Sequence, residues 1–319
     1  THQPNDLDEI LEQAHDHLQL QMLLIEVASC DNRADFALIT RAYHFAKDRH
    51  EGQTRKSGHP FLHHCVEVGR LLAQLRMDHT TVAAGLLHDV IEDTPATYAD
   101  VAGQFGDKIA DMIDGVTKID RLTYESREAR QAETYRKMLL SMVKDIRVML
   151  IKLVDRLHNM RTIDGLKKPE KRRRIALETL EIYVPLAERI GVHAIKTELE
   201  DLAFSVLNPE ARESIINRLS FLRTEGIDVV QDIIKELKTM LSKAGIEAEI
   251  SGREKTGYSI WKKMQRKNVA FEQLSDIMAF RIVVENIEEC YGTLGLIHSK
   301  YPSVPGRFKD YISTPKPNG

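Results

Sequence analysis

Apolar positions recur at spacings of three and four through most of the first 240 residues, the period of helices that bury one face. Leu7, Ile10 and Leu11, followed by Leu18, Leu20 and Met22, predict an opening helix that ends before Asp31-Asn32. The same period predicts helices over 34–50, 61–76, 79–92, 97–104, 107–118, 128–143 and 145–163, then over 170–189, 193–206 and 209–243. Residues 51–60 read as a loop. Asn208-Pro209 reads as a break, because proline suits a first helical turn and disfavours helix in the residue before it. After Gly245 the pattern changes. Residues 246–251 alternate apolar and charged as a strand does; 257–267 predicts a basic helix, 277–284 a buried strand and 287–300 another helix. The expectation is a mainly α chain in three parts: an all-α domain over 1–165, a helical linker or bundle over 166–243, and the first part of an α+β domain over 244–319.

Composition narrows the class of protein. With 42% apolar and 29% charged residues, 319 residues suffice for more than one core. No apolar run approaches the roughly 18 residues of a spanning helix, and the polar, acidic N-terminal stretch does not resemble a signal peptide. Three widely spaced cysteines, Cys30, Cys65 and Cys290, argue against a disulfide framework and for a reducing cytoplasm. The net charge of −3 conceals an asymmetry, with 10 Lys/Arg against 20 Asp/Glu in residues 1–120 and 35 against 28 in the remainder. An acidic front suits cations and a basic rear suits phosphate, although solvated faces produce similar tallies.

The candidate chemistry begins with histidine. Seven of the 13 (His44, His50, His59, His63, His64, His79 and His88) fall within 45 residues. His88-Asp89 is embedded in a strongly apolar helix, where unpaired ionisable groups are costly to bury. A divalent cation removes that cost, and N/O donors suit Zn, Mn or Fe. Glu92 and Asp93 follow one turn later and put two spare carboxylates on the same face. Asp155 sits in a second apolar helix, with Asn159 and Thr162 at i+4 and i+7. Alone, Asp155 reads more readily as a buried aspartate paired with an arginine than as a ligand, and His64 as a helix-start histidine bonded to backbone.

The order of a histidine, a His-Asp dipeptide and a later aspartate resembles the HD phosphohydrolase superfamily. His50-Glu51-Gly52-Gln53-Thr54-Arg55-Lys56-Ser57-Gly58 is similar to the HxGQxRKSG loop of the long RelA/SpoT homologues, bifunctional enzymes that make and degrade (p)ppGpp. Residues 87–94 (LHDVIEDT), 114–118 (DGVTK) and 152–162 (KLVDRLHNMRT) resemble that family's hydrolase words. The resemblance implies metal ligands at His64, His88, Asp89 and Asp155, usually holding Mn²⁺, and a water-activating pair at Glu92 and Asp93. It implies substrate contacts at Arg55, Lys56, Ser57, Asn159 and Thr162. One departure is Cys65, where the family usually carries proline after the ligand histidine.

Residues 252–264 (GREKTGYSIWKKM) resemble the opening of the family's nucleotidyltransferase-like synthetase domain. That likeness implies ATP contacts at Arg253 and Lys255 and a Mg²⁺-holding carboxylate at Asp276. The chain begins at Thr1 and stops at Gly319, before the acceptor-stacking tyrosine and second acidic residue of the family. The expectation is a catalytic fragment whose parent makes (p)ppGpp from ATP and GDP/GTP but which has itself lost synthesis. The function expected of the fragment is cytoplasmic, metal-dependent removal of the 3′-pyrophosphate of (p)ppGpp, with no membrane and no direct nucleic-acid partner. Two other readings remain open: an HD-type hydrolase of another nucleotide, and a hydrolase-silent regulatory module. The basic run over 167–174 reads as a solvated face or a nucleotide-steering patch.

Overall fold

The structure, a computed structural model, describes residues 18–120, 144–225, 229–274 and 277–316. The helix expected over 128–143, the first part of the opening helix and Asp276 lie outside the described residues. The chain divides into two compact units, residues 1–207 and 208–319. That boundary falls inside the stretch expected to be a linker, so the helices of 166–243 are shared between the units.

The first unit is all helix. Its elements are α1 (Leu18–Cys30), α2 (Phe36–Arg49), α3 (Phe61–Gln74), α4 (His79–Leu87), α5 (Val90–Asp93), α6 (Tyr98–Phe105), α7 (Asp107–Asp120), α8 (Ile146–Arg161), α9 (Pro169–Glu178), α10 (Val184–Ile190) and α11 (His193–Leu207). Local chemistry starts several of them. The Asp35, Asp78 and Asp145 carboxylates accept from the N–H groups of Leu38, Thr81 and Arg147, and Thr97 and Asp100 form a reciprocal capping box.

Helix α4 is the hub, with every residue from Thr81 to Leu87 buried, and it packs against α2, α3 and α7. At Gly85 a side chain would overlap Leu72 of α3, so glycine is what lets α3 and α4 approach closely. Helix α8 packs on α3, α7 and α11, with Met149, Ile151, Leu153, Val154 and Met160 fully buried. The two helices carrying His64 and Asp155 are thereby neighbours in one core.

The helix expected over 209–243 is described as two, Pro209–Glu225 and Val229–Lys243, and two other expected helices are interrupted within the described residues. The one over 79–92 breaks at His88-Asp89. The one over 170–189 contains a π-turn at Thr179–Tyr183, immediately before Pro185; proline has no N–H for the helical ladder, which favours this local rewinding.

In the second unit, α12 (Pro209–Glu225) and α13 (Val229–Lys243) precede β1 (Glu249–Glu254), α14 (Gly257–Lys267), β2 (Met278–Val283) and α15 (Ile287–Lys300). The strands pair antiparallel, with Gly252 opposite Phe280. A small core of Leu237, Leu241 and Ile250, joined by Phe280, Ile282, Leu296 and Ile297, holds α13 and α15 to the sheet.

Candidate metal centre and substrate loop

His64 points inward from the second turn of α3 and is buried. Cys65 beside it is also buried, and α3 begins at Phe61 with Pro60 as its cap. The departure from proline at position 65 thus leaves a regular helix through His64. His88 follows the last residue of α4, and its Nδ1 lies 2.8 Å from the Gly85 carbonyl. That carbonyl can only accept, so Nδ1 carries a hydrogen and Nε2 is the nitrogen turned to the acidic groups, holding a proton beside them or presenting its lone pair to a cation. The ring also takes the carbonyl that an unbroken helix would give to the Asp89 N–H, which accounts for the break in the helix expected there.

The donor atoms converge. His64 Nε2 is 3.2 Å from His88 Nε2 and 3.2 Å from Asp155 Oδ1. Asp89 Oδ2 is 3.0 Å from His88 Nε2 and 3.5 Å from His64 Nε2. Donors held about 2.1 Å from one cation stand roughly 3.0–3.4 Å apart, so this set fits a divalent ion. His64, His88 and Asp155 form the one cluster of metal-ligating type found among the described residues, and Asp89 lies against its two imidazoles. Burial opposes the His88 imidazolium, but Asp89 and Asp155 outweigh it and raise its pKa to about 10. Burial likewise opposes the Asp155 carboxylate, and Lys152, His64 and His88 pull it well below the usual range. The pocket is built for positive charge.

A second layer of bonds orients these groups. Asp155 accepts from Lys152 Nζ at 2.9 Å through Oδ2 and from Asn159 Nδ2 at 2.6 Å through Oδ1. The paired cation expected of a buried Asp155 is therefore Lys152, three residues earlier, and not an arginine. Asn159 Oδ1 in turn accepts from Arg55 Nη2, joining the Asp155 carboxylate to the 51–60 loop. His158 Nδ1 is 2.7 Å from His64 Nδ1 and 3.3 Å from Arg55 Nη1. Burial, then the His64 and Arg55 charges, hold the His158 pKa down to about 3. The single lone pair of the neutral ring's Nδ1 accepts from His64 Nδ1, the closer donor, which turns His64 Nε2 toward the centre.

The loop itself is tightly folded. Arg55 N–H donates to the His59 carbonyl and Gly58 N–H to the Arg55 carbonyl, with Gly58 at φ +87°. Gly165 faces Ser57 so closely that a Cβ there would lie 3.0 Å from Ser57 Cα. Lys56 and Ser57 are exposed on the rim. Thr162, expected near substrate, donates its hydroxyl to the His158 carbonyl at 3.0 Å. Glu92 and Asp93 are exposed on α5, and partial burial, then the Asp89 charge, raises the Asp93 carboxyl. In the second unit Arg253 lies opposite Ala279 in the ladder, and Lys255 N–H donates to the Ile277 carbonyl.

The 152–162 word by itself assigns no role to Lys152 or His158. Their signal was available: both lie three residues from Asp155, the spacing of neighbours on one helical face.

Fold and site together define an HD-domain protein with a candidate metal centre, and HD-domain hydrolases are metal-dependent. Comparison with known proteins agrees: residues 42–193 match the HD domain, and residues 252–319 match a region found in RelA / SpoT proteins. The chain is a RelA/SpoT homologue with an HD domain. It is 50% identical over 281 residues to the bifunctional (p)ppGpp synthase/hydrolase SpoT of Escherichia coli K12, covering 88% of this chain and 40% of that protein. The GTP pyrophosphokinase rsh of Brucella melitensis is 46% identical over 282 residues, covering 88% of this chain and 38% of its own length. The chain thus spans about 40% of the length of the curated relatives it matches. A solved structure described as a metazoan ortholog of SpoT that hydrolyses ppGpp aligns at 27% identity with a TM-score of 0.44, over 52% of this chain and 93% of its own.

Proposed function

We propose that this chain removes the 3′-pyrophosphate of (p)ppGpp, yielding GDP or GTP and pyrophosphate, with Mn²⁺ at His64, His88, Asp89 and Asp155. The observation that carries the reading is the convergence of the His64 and His88 imidazoles with the Asp155 carboxylate, with Asp89 against His88 and the set tied through Asn159 to Arg55. When bound, a divalent cation neutralises the pyrophosphate and polarises the scissile phosphorus–oxygen bond. Asp93, with its raised pKa, accepts a proton from the attacking water, and Glu92 orients that water from the same short helix. Arg55 presents a planar fork to phosphate or base, which lysine cannot imitate; Lys56, Ser57, Asn159 and Thr162 complete the nucleotide side.

In the parent protein, synthesis from ATP and GDP/GTP falls to residues 244–319, with Arg253 and Lys255 toward ATP and Asp276 toward Mg²⁺. Residues 1–165 then form the hydrolase part and 166–243 the helical connection. Cytoplasmic residence is supported by the three free cysteines; among the described residues no helix is long and apolar enough to cross a membrane.

The test is pyrophosphate release from purified ppGpp with Mn²⁺, then with EDTA, by this chain and by Asp89→Ala. Turnover that requires metal and is lost in the variant is the expected result. A folded, Mn²⁺-loaded chain that releases no pyrophosphate overturns the reading and favours another nucleotide as substrate.

A further inference from the structure

His50 ends α2 and is 3% exposed. One face of its ring stacks on Phe61, centroids 4.6 Å apart and planes inclined by 18°, and the edge of Phe61 meets His64. His50 Nδ1 lies 2.8 Å from Gln53 Oε1, while Gln53 Nε2 donates to the Asp93 backbone carbonyl at 3.0 Å. This chain fixes the tautomer. The Asp93 carbonyl can only accept, so Gln53 must turn its NH₂ toward it and its oxygen toward His50. His50 Nδ1 therefore carries the hydrogen and Nε2 is a bare lone pair. Burial lowers the pKa of the ring against the pull of Asp89 and Asp93, which keeps that lone pair free of a proton at neutral pH.

His50 Nε2 is buried and has no hydrogen-bond partner among the described residues, an arrangement that is costly unless a donor arrives. The ring sits one aromatic layer from the candidate centre, through Phe61 to His64, and the charges that bear on it are those of Asp89, Asp93 and His88. The same Gln53 that sets its tautomer anchors the end of α5, where Asp93 sits.

We propose that His50 is a further catalytic residue of this site, its Nε2 accepting one hydrogen of the attacking water while the Asp93 carboxylate accepts the other. The proposal rests on the hydrolase reading above. With both hydrogens engaged, the water's lone pairs are left to face phosphorus. In the step, the water oxygen bonds to phosphorus as the bond from phosphorus to the ribose 3′ oxygen breaks. The proton taken by Asp93 passes to the leaving oxygen, and the second hydrogen stays on the new phosphate hydroxyl. His50 gains and loses nothing.

Two measurements test this. Long-range ¹H–¹⁵N NMR of the metal-free chain with labelled imidazoles reads the tautomer: a protonated Nδ1 and bare Nε2 are expected, and a protonated Nε2 overturns the proposal whatever the turnover. Kinetics on ppGpp then compare His50→Phe, which keeps the ring face against Phe61 but has no acceptor, with His50→Gln, which restores one. For His50→Phe, kcat is expected to fall about 10- to 100-fold, with KM within about twofold and Mn²⁺ content unchanged. His50→Gln should recover part of the loss. A His50→Phe chain that keeps kcat within about twofold, or that loses its Mn²⁺, overturns the assignment. A Mn²⁺-loaded parent chain that leaves ppGpp intact would instead overturn the hydrolase reading from which the proposal starts.

Discussion

The two compact units hold their charges in opposite ways. In the first, His64, His88, Lys152, Asp155 and His158 are all buried, and each has a named partner. In the second, charged groups such as Arg253, Glu236, Lys300 and Asp310 sit at or near the surface; Lys300 pairs with Glu236, and Asp310 accepts from the N–H groups of Ile312 and Ser313. Buried ionisable groups must be matched one by one, because an unmatched one is expensive. Exposed pairs are worth little and are set loosely. The first unit has therefore organised its chemistry before any ligand arrives, whereas the second offers charge without a comparable fixed geometry.

The strongest way to break this contrast is to remove a ligand. Asp155→Ala should lower pyrophosphate release by roughly 1,000-fold, since several kcal/mol of charge stabilisation at about 1.4 kcal/mol per tenfold is lost. Residual turnover near that of the parent chain would sink the ligand assignment. Asp93→Asn keeps the shape of α5 and removes a base, so kcat should fall by about 100-fold or more while Mn²⁺ content stays put. Asn159→Ala cuts the link between Asp155 and Arg55, and Mn²⁺ affinity should weaken about 10- to 100-fold, as for other groups that orient a ligand; titration calorimetry would measure it.

Two smaller effects concern stability. Gly85→Ala forces a methyl group against Leu72, which should cost about 1–3 kcal/mol in thermal or denaturant unfolding. The last concerns acid. The Arg147 guanidinium beside Asp145 holds that carboxyl below its usual value, against partial burial. A depressed folded-state pKa contributes stability that is present above the unfolded value of 3.8 and lost as pH falls through the folded one. Arg147→Gln should therefore raise the midpoint of acid unfolding by a few tenths of a pH unit, an effect on the order of 0.5 kcal/mol.

Much of this was legible in advance for identifiable reasons. The helices at 61–76, 145–163, 257–267 and 287–300 were readable from apolar periodicity and appear within two residues of their expected ends. The π-turn at Thr179–Tyr183 and the break at His88-Asp89 were not, because each is set by one local bond or its absence within an otherwise periodic run. Among site residues, His64, His88, Asp89 and Asp155 stand out as polar groups in apolar segments. His50 and Gln53 lie in a polar loop word, where nothing distinguishes a buried imidazole from a solvated one.

By itself, the order of residues determined which segments are helical, which polar side chains those helices must bury, and the likeness to RelA/SpoT homologues. Periodicity and composition act locally and are readable one segment at a time. Only the tertiary structure decided that Asn159 ties Asp155 to Arg55, and that the Gln53 bridge to the Asp93 carbonyl leaves a buried His50 with a bare nitrogen. Those outcomes depend on distances between segments from 40 to more than 100 residues apart, and such distances are settled only when the core closes around them.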